Sequence, residues 1–362
     1  MRSFRLLAAG ASLIALAIVS ACTTGGAPSA PATSAPTAAA KPTTAAAVSP
    51  AASPVRSPAA AASPSPRPAA SPLAVPSPSA AASPVAGGAK PTIKMGSANF
   101  PEQVILGELY AQILEANGFT IERHLNLGSR EIVWPALESG QIDMYPEYLA
   151  TLERFLAKDQ SKASSDPAAT QKALQDVLTP KNITVLDYSQ ALDQNGFAVT
   201  KATADKYKLS KMSDLQPVAN QLVLGGTPEC PQRPFCLLGL MQTYGLMFKD
   251  FKPLDTGGPL TVAALENGEI DVGELFTTDP NIGLKGFIEL EDDKHLQLAD
   301  NIAPVVRNDI LNRAPELRQL ANSVSSKLTT PDLIDMNKQV GIDHKDAKDV
   351  AQAYLKDKGL IR

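Results

Sequence analysis

Two thirteen-residue stretches of the chain carry the same pattern of polar and aromatic residues. ALESGQIDMYPEY spans 136–148, ALENGEIDVGELF spans 264–276, and six of the thirteen positions are identical. In each stretch a helix pattern reaches a glycine, an apolar strand with an aspartate follows, and an aromatic ring, Tyr148 or Phe276, closes it. An aspartate in this position, Asp143 or Asp271, is more typical of a carboxylate that binds backbone N–H groups than of a catalytic acid. The repeat therefore predicts two similar lobes, each with an aromatic residue at a strand end.

Residue types that would support catalysis are scattered along the chain. The sequence contains no Gly-x-Ser-x-Gly motif, no phosphate-binding glycine loop and only three histidines, His124, His295 and His344, which lie far apart. No nucleophile with a positioned base is indicated. We therefore expect a protein that is not an enzyme and that needs no metal and no cofactor.

The three cysteines divide into one near the start, Cys22, and a close pair, Cys230 and Cys236, in CPQRPFC. In an exported protein an even pair predicts a disulfide, here between Cys230 and Cys236. A metal-binding pair is the alternative, although no histidine lies nearby and zinc would need further ligands.

The first 21 residues have a basic start, an apolar run and small residues before Cys22, as an export signal does. The run is shorter than the ~20 residues that span a bilayer. Val19-Ser20-Ala21-Cys22 resembles the bacterial lipobox, so we expect Cys22 to carry lipid. An ordinary cleaved signal with an incidental cysteine is the alternative. Residues 22–89, rich in Ala, Pro and Ser with 14 of the chain's 30 prolines, are predicted to be a disordered tether.

The charge of the chain is concentrated after the tether. Residues 90–362 hold all 37 acidic residues against 28 Lys and Arg, a net charge of −9. An acidic surface of this kind argues against nucleic acid as a partner.

Strand and helix patterns alternate from residue 90 onward. TIKMGS is typical of a strand, PEQVILGELYAQILEANG of a helix, and FTIERHLNL of the next strand. Such alternation predicts mainly parallel sheets with helices on both faces. Two lobes of this kind would leave a ligand cleft at the carboxyl ends of their strands. We therefore predict an α/β fold with one lobe at 90–195 and 301–362 and the other at 196–300.

Several of these segments resemble a known family. GSANFPEQVILGELYAQILEANGF, LNLGSREIVWPALESGQIDMYPEY, FTTDP and APVV are similar to the substrate-binding lipoproteins of ABC importers for glycine betaine, choline and carnitine. The resemblance covers essentially all of 92–362, and 128–151 is its most specific part. It implies a two-lobed, type II periplasmic-binding-protein-like fold that closes on its ligand.

The resemblance also implies an aromatic cage for a quaternary ammonium group, which usually has four tyrosines. Their positions fall on Tyr148, Phe197, Phe276 and, where an aromatic is usual, Asp300 or its neighbour. Phenylalanine keeps the ring face that attracts a cation but lacks the hydroxyl. We expect Asp300 to supply a counter-charge instead, although it could be a solvated loop residue.

For a ligand carboxylate, the family uses a lysine, a threonine and an arginine. Here Ala98 stands in place of the lysine, whereas Thr151 and Arg233 match the other two. Loss of the lysine would shift preference toward less negative ligands such as choline, and the sequence leaves choline and betaine both open.

The family implies an extracytoplasmic solute-binding protein, lipid-anchored to the outer face of the cell membrane or periplasmic, that delivers a quaternary-ammonium solute to a permease subunit. We expect a monomer. The alternatives are the same fold binding another small cation or an amino acid, and an adhesive lipoprotein without a transport role.

Overall fold

The computed structural model describes residues 90–362. The predicted signal at 1–21, the lipidation site Cys22 and the tether at 22–89 lie outside the described residues. Within residues 90–362, no helix is both long and apolar enough to cross a membrane.

Ten strands and twelve α-helices, with a few short 3-10 and π turns, make up the described chain. The strands are β1 (Ile93–Gly96), β2 (Ile121–His124), β3 (Met144–Tyr148), β4 (Ile183–Val185), β5 (Asn195–Val199), β6 (Val223–Gly226), β7 (Asp250–Pro253), β8 (Val272–Phe276), β9 (Ile288–Glu289) and β10 (Ile302–Arg307). The α-helices are α1 (Pro101–Ala116), α2 (Arg130–Glu138), α3 (Leu149–Ala157), α4 (Pro167–Leu178), α5 (Lys201–Tyr207), α6 (Leu237–Gly239), α7 (Pro259–Glu266), α8 (Pro280–Lys285), α9 (Asn308–Arg313), α10 (Glu316–Ser325), α11 (Thr330–Gly341) and α12 (Ala347–Asp357).

The strands form two five-stranded sheets with the same topology. Their strand orders are β2-β1-β3-β10-β4 and β7-β6-β8-β5-β9. In each sheet one strand, β10 or β5, runs antiparallel to both neighbours. The chain crosses between the lobes just before each of these strands, so they start where the other strands end. This mixed arrangement refines the prediction of mainly parallel sheets.

The repeated aspartates hold equivalent strand ends in the two sheets. Asp143 Oδ2 accepts a hydrogen bond of 2.9 Å from the backbone N–H of Lys94, and Asp271 Oδ2 accepts one of 2.9 Å from Val223. The preceding Gly140 has a φ of +76°, which glycine adopts without strain. The prediction of a structural role for both aspartates is confirmed.

Apolar residues cover both faces of each sheet. Along β10, Ile302 and Val306 face the cluster that includes α1 and α10 to α12, whereas Ala303 and Val305 face the cluster that includes α2 and α4. In the second sheet, Phe197 and Val199 of β5 face the cluster that includes Leu224, whereas Ala198 between them faces the cluster that includes Leu265 of α7. Alternation along a strand thus gives each lobe two apolar clusters, one on each face of its sheet.

Candidate ligand-binding cleft

A cavity of about 400 Å³ lies between the two sheets. Strand β3 of the first lobe ends in it at Tyr148, and strand β8 of the second lobe ends in it at Phe276. The two copies of the sequence repeat therefore meet at one cleft, at the carboxyl ends of their strands, where α/β sheets usually bind ligands.

Three aromatic rings stand together in this cavity. The ring of Phe100, which immediately precedes α1, stacks against Tyr148 with the ring centroids 6.3 Å apart. It also stacks against Phe276 of the other lobe at 5.4 Å. Tyr148 and Phe276 were predicted from the sequence, whereas Phe100 was not. The only sequence signal for Phe100 is an aromatic residue directly before a helix-starting proline.

The structure places Phe197 in the core of the second lobe, and not among the residues that line the cavity. Its side chain is 1% exposed and packs in the cluster with Val199 and Leu224. In the pairing of β5 with β8, Asn195 lies opposite Phe276, whereas Phe197 lies opposite Glu274, two residues further into the sheet. Asn195 therefore lines the cavity where Phe197 was expected.

Asp300 and Thr151 line the cavity and bind each other. The backbone N–H of Thr151 donates to Asp300 Oδ1 at 2.7 Å, and its hydroxyl donates to Oδ2 at 2.5 Å. The hydroxyl expected to meet a ligand carboxylate is thus engaged by a carboxylate of the protein. Asp300 is 2% exposed, and burial raises its pKa to about 6. Its negative charge is poorly solvated, so a cation in the cavity would stabilise it.

A second buried carboxylate, Asp193, lines the same cavity and was not identified from the sequence. Asp193 Oδ1 accepts a hydrogen bond from the backbone N–H of Thr278 at 3.3 Å and lies 3.0 Å from the hydroxyl oxygen of the same residue. Burial and the nearby Glu102 hold the pKa of Asp193 well above its usual range. Asp193 and Asp300 lie on the two segments that connect the lobes, where the backbone N–H of Asp193 donates to Asp300 O.

Arg130 also lines the cavity, but its charge is balanced by Glu147. The guanidinium donates to both carboxylate oxygens, at 2.7 and 2.9 Å. Tyr145 donates its hydroxyl to the same carboxylate at 2.9 Å, and the N–H of Tyr148 donates to it at 2.8 Å. Glu147 therefore fixes the end of β3, and with it the ring of Tyr148.

Arg233 lies at the cavity in a loop closed by the Cys230–Cys236 disulfide. Its guanidinium contacts Glu131, at the start of α2 in the other lobe, with a nitrogen–oxygen distance of 3.1 Å. The arginine expected to hold a ligand carboxylate therefore already has a carboxylate partner. This ion pair links the two lobes across the cleft.

Helix α3 presents a further arginine to the cavity that sequence reasoning did not identify. Thr151, Arg154 and Phe155 are three and four residues apart, so they share one face, and all three line the cavity. Within residues 90–362 the guanidinium of Arg154 forms no hydrogen bond or ion pair, and its buried Nε has no partner.

Several known proteins are similar to this chain. A family model described as the substrate-binding domain of an ABC-type glycine betaine transport system matches residues 91–357. The glycine betaine-binding protein YehZ of Escherichia coli is 28% identical over 284 residues, covering 76% of this chain and 93% of the relative. The carnitine transport binding protein OpuCC of Listeria monocytogenes is 27% identical, covering 75% of this chain and 88% of the relative.

A solved structure of a glycine betaine/carnitine/choline ABC transporter protein aligns with a TM-score of 0.60 and 26% identity. The alignment covers 74% of this chain and 99% of that one. The predicted two-lobed α/β fold of type II periplasmic binding proteins is confirmed.

Proposed function

The chain belongs to the family of substrate-binding domains of ABC-type glycine betaine transport systems, and on that premise we propose that it captures a small quaternary-ammonium solute between its lobes. The candidates are glycine betaine, choline and carnitine. Members of this family are extracytoplasmic solute-binding proteins, and this chain would deliver its solute to the transmembrane permease subunit.

The observation that carries the proposal is the group of three rings and two acidic side chains in one cavity. A quaternary ammonium group has no N–H donor, so ordinary hydrogen bonds do not recognise it. It is attracted instead to ring faces, with each contact contributing about 0.5–2 kcal/mol when desolvated. Phe100, Tyr148 and Phe276 offer such faces, and the carboxylate of Asp300 offers negative charge. This combination suits an organic cation better than an uncharged solute.

The proposal includes closure of the lobes around the solute. A ligand shifts the lobes toward closure only by binding the closed form more tightly, so both lobes must contact it. Phe100 and Tyr148 come from the first lobe and Phe276 from the second. Apart from these three rings, a hydrogen bond also joins the lobes, because the hydroxyl of Thr278 donates to Glu102 of the opposite lobe at 2.6 Å.

We further propose that the lobes divide at 90–195 with 301–362 and at 196–300, the pattern that the two sheets support. Lipid at Cys22 would hold the protein at the outer face of the membrane, and the protein would act as a monomer. Mass spectrometry of the membrane-extracted protein tests the lipid, and light scattering tests the monomer.

Calorimetric titration with choline, glycine betaine, carnitine and proline tests the proposed ligand class. We expect micromolar binding of the quaternary compounds. Phe100→Leu removes a cavity ring but keeps an apolar side chain, so affinity should fall about 2- to 30-fold. Phe197→Leu, the same change on a ring outside the cavity, is the matched control and should leave affinity unchanged.

Two results would redirect the proposal. A heat of binding with proline, and none with the quaternary compounds, would favour an amino-acid-binding protein of the same fold. No binding of any solute, with no change of shape on their addition, would favour an adhesive role.

A further inference from the structure

We propose that Arg154 receives the anionic group of the solute, which makes the preferred solute a zwitterion rather than a simple cation. This inference rests on the proposed function, because it concerns the part of the same cavity that would bind the anionic end of the solute. It identifies a specificity-determining residue that the sequence pattern did not indicate.

The other basic groups of the cavity are already engaged. Arg130 makes a bidentate pair with Glu147 at 2.7 and 2.9 Å. Arg233 pairs with Glu131 of the opposite lobe at 3.1 Å. An anionic ligand group that bound either arginine would have to compete with a protein carboxylate.

The hydroxyl of Thr151, the uncharged donor expected to bind a ligand carboxylate, also has a partner within the protein. The hydroxyl of Thr151 donates to Asp300 at 2.5 Å. A ligand carboxylate placed at this hydroxyl would also lie close to the Asp300 carboxylate, and two like charges at short range repel each other. The anionic end of the solute is therefore expected to lie away from Asp300.

Arg154 has the opposite properties. Within the described part of the chain it forms no ion pair, its Nε is buried without a partner, and the residue lines the cavity. Its neighbour Glu153 is not available, because its carboxylate accepts from the backbone N–H groups of Lys162 at 2.8 Å and Ala163 at 3.3 Å. The guanidinium fork is free to bind a carboxylate through two parallel hydrogen bonds.

The position of Arg154 on α3 fits a solute with charges at its two ends. Tyr148 precedes the first turn of α3, and Arg154 lies about 9 Å further along the helix axis at a rise of 1.5 Å per residue. Helical side chains lean toward the N-terminus, so the guanidinium can lean back toward the cage. The ammonium end would meet the rings while the anionic end meets Arg154.

The test compares glycine betaine, which has a carboxylate, with choline, which has none, in three forms of the protein. We expect Arg154→Gln to weaken glycine betaine binding about 10- to 100-fold, the loss of a charge-assisted bidentate contact. Choline binding should be nearly unchanged. Arg154→Lys keeps the charge without the fork and should restore part of the betaine affinity.

Arg233→Gln is the matched control. Because Arg233 is paired with Glu131 across the cleft, its loss should affect both ligands alike and leave the ratio of their affinities unchanged. The inference is overturned if Arg154→Gln leaves this ratio unchanged, or if Arg233→Gln is the variant that changes it. If the unaltered protein binds choline but not glycine betaine, the assignment of Arg154 fails while the proposed function stands. If it binds neither, both fail.

Discussion

Asp300→Asn should remove a pH-dependent part of cation binding. The carboxylate of Asp300 is buried at the cavity, and burial raises its pKa to about 6. A bound cation favours the ionised form, so affinity for choline should rise as the pH increases through 6. Asparagine has nearly the same shape, and it can accept from the N–H of Thr151 and donate to its hydroxyl.

The size of the effect follows from the fraction of Asp300 that is ionised. With a pKa of about 6, roughly nine-tenths of the free protein has lost this proton at pH 7 and roughly one-tenth at pH 5. An opposite charge within ~4–6 Å lowers a carboxyl pKa by about 1–3 units, so in the bound form at least about half of Asp300 remains ionised at pH 5. Choline affinity should therefore fall about 5- to 10-fold from pH 7 to pH 5.

Calorimetry with choline between pH 5 and 7.5 measures this dependence. Choline is suitable because its ammonium charge does not change over that range. The charges of Arg130 and Glu147 also influence the pKa of Asp300, in opposite directions, and the two residues form an ion pair with each other. Asp193 is a second acidic group in the cavity. Comparing the unaltered protein with Asp300→Asn isolates the contribution of Asp300.

We expect the variant to bind choline at least tenfold more weakly at pH 7.5 and to lose the step near pH 6. Equal affinity of the two proteins at pH 7.5 would refute the counter-charge reasoning. The same conclusion would follow if the step near pH 6 persisted unchanged in Asp300→Asn.

Three further predictions concern the ring of Phe276, the disulfide and the stability of the protein. Phe276→Ala should weaken choline binding about 2- to 30-fold, whereas Phe276→Tyr, which restores the ring face, should bind like the unaltered protein; calorimetry distinguishes them. Replacing both Cys230 and Cys236 with serine should lower the free energy of unfolding by about 2 kcal/mol, measured with urea, because the seven-residue loop is no longer closed. Burial of Asp300 opposes its ionisation in the folded state, so this group should lower stability as pH rises from about 4 to 6; Asp300→Asn should lose that contribution in urea melts.

The repeat predicted the positions of two aromatic rings that line the candidate cleft. Its glycine turn, structural aspartate and closing ring recur in both lobes, so Tyr148 and Phe276 could be placed at equivalent strand ends. Local periodicity and turn chemistry determine these features, and both are visible within about a dozen residues.

For Phe197, the local sequence pattern and the family position did not indicate whether the side chain faces the cleft or the core. Whether a residue near a strand end faces the cleft or packs into the core depends on register with a partner strand. Here Asn195 lies opposite Phe276 and Phe197 opposite Glu274. That pairing joins residues about eighty positions apart, and no short stretch encodes it.

The sequence also could not show which residues bind the polar side chains of the cavity. Thr151 and Asp300 are 149 positions apart, and Arg233 and Glu131 are 102 apart and on different lobes. Each pair uses a group that was expected to serve the ligand. Only packing of the lobes shows which of the cavity's charges are already balanced, and that Arg154 is not among them.

A crystal structure of the protein with choline bound would show directly whether the three aromatic rings hold the ammonium group. We expect closed lobes, with the trimethylammonium group in contact with the rings of Phe100, Tyr148 and Phe276 and near the acidic side chains of Asp193 and Asp300. Choline bound elsewhere, or an ammonium group that touches none of these rings, would contradict this expectation.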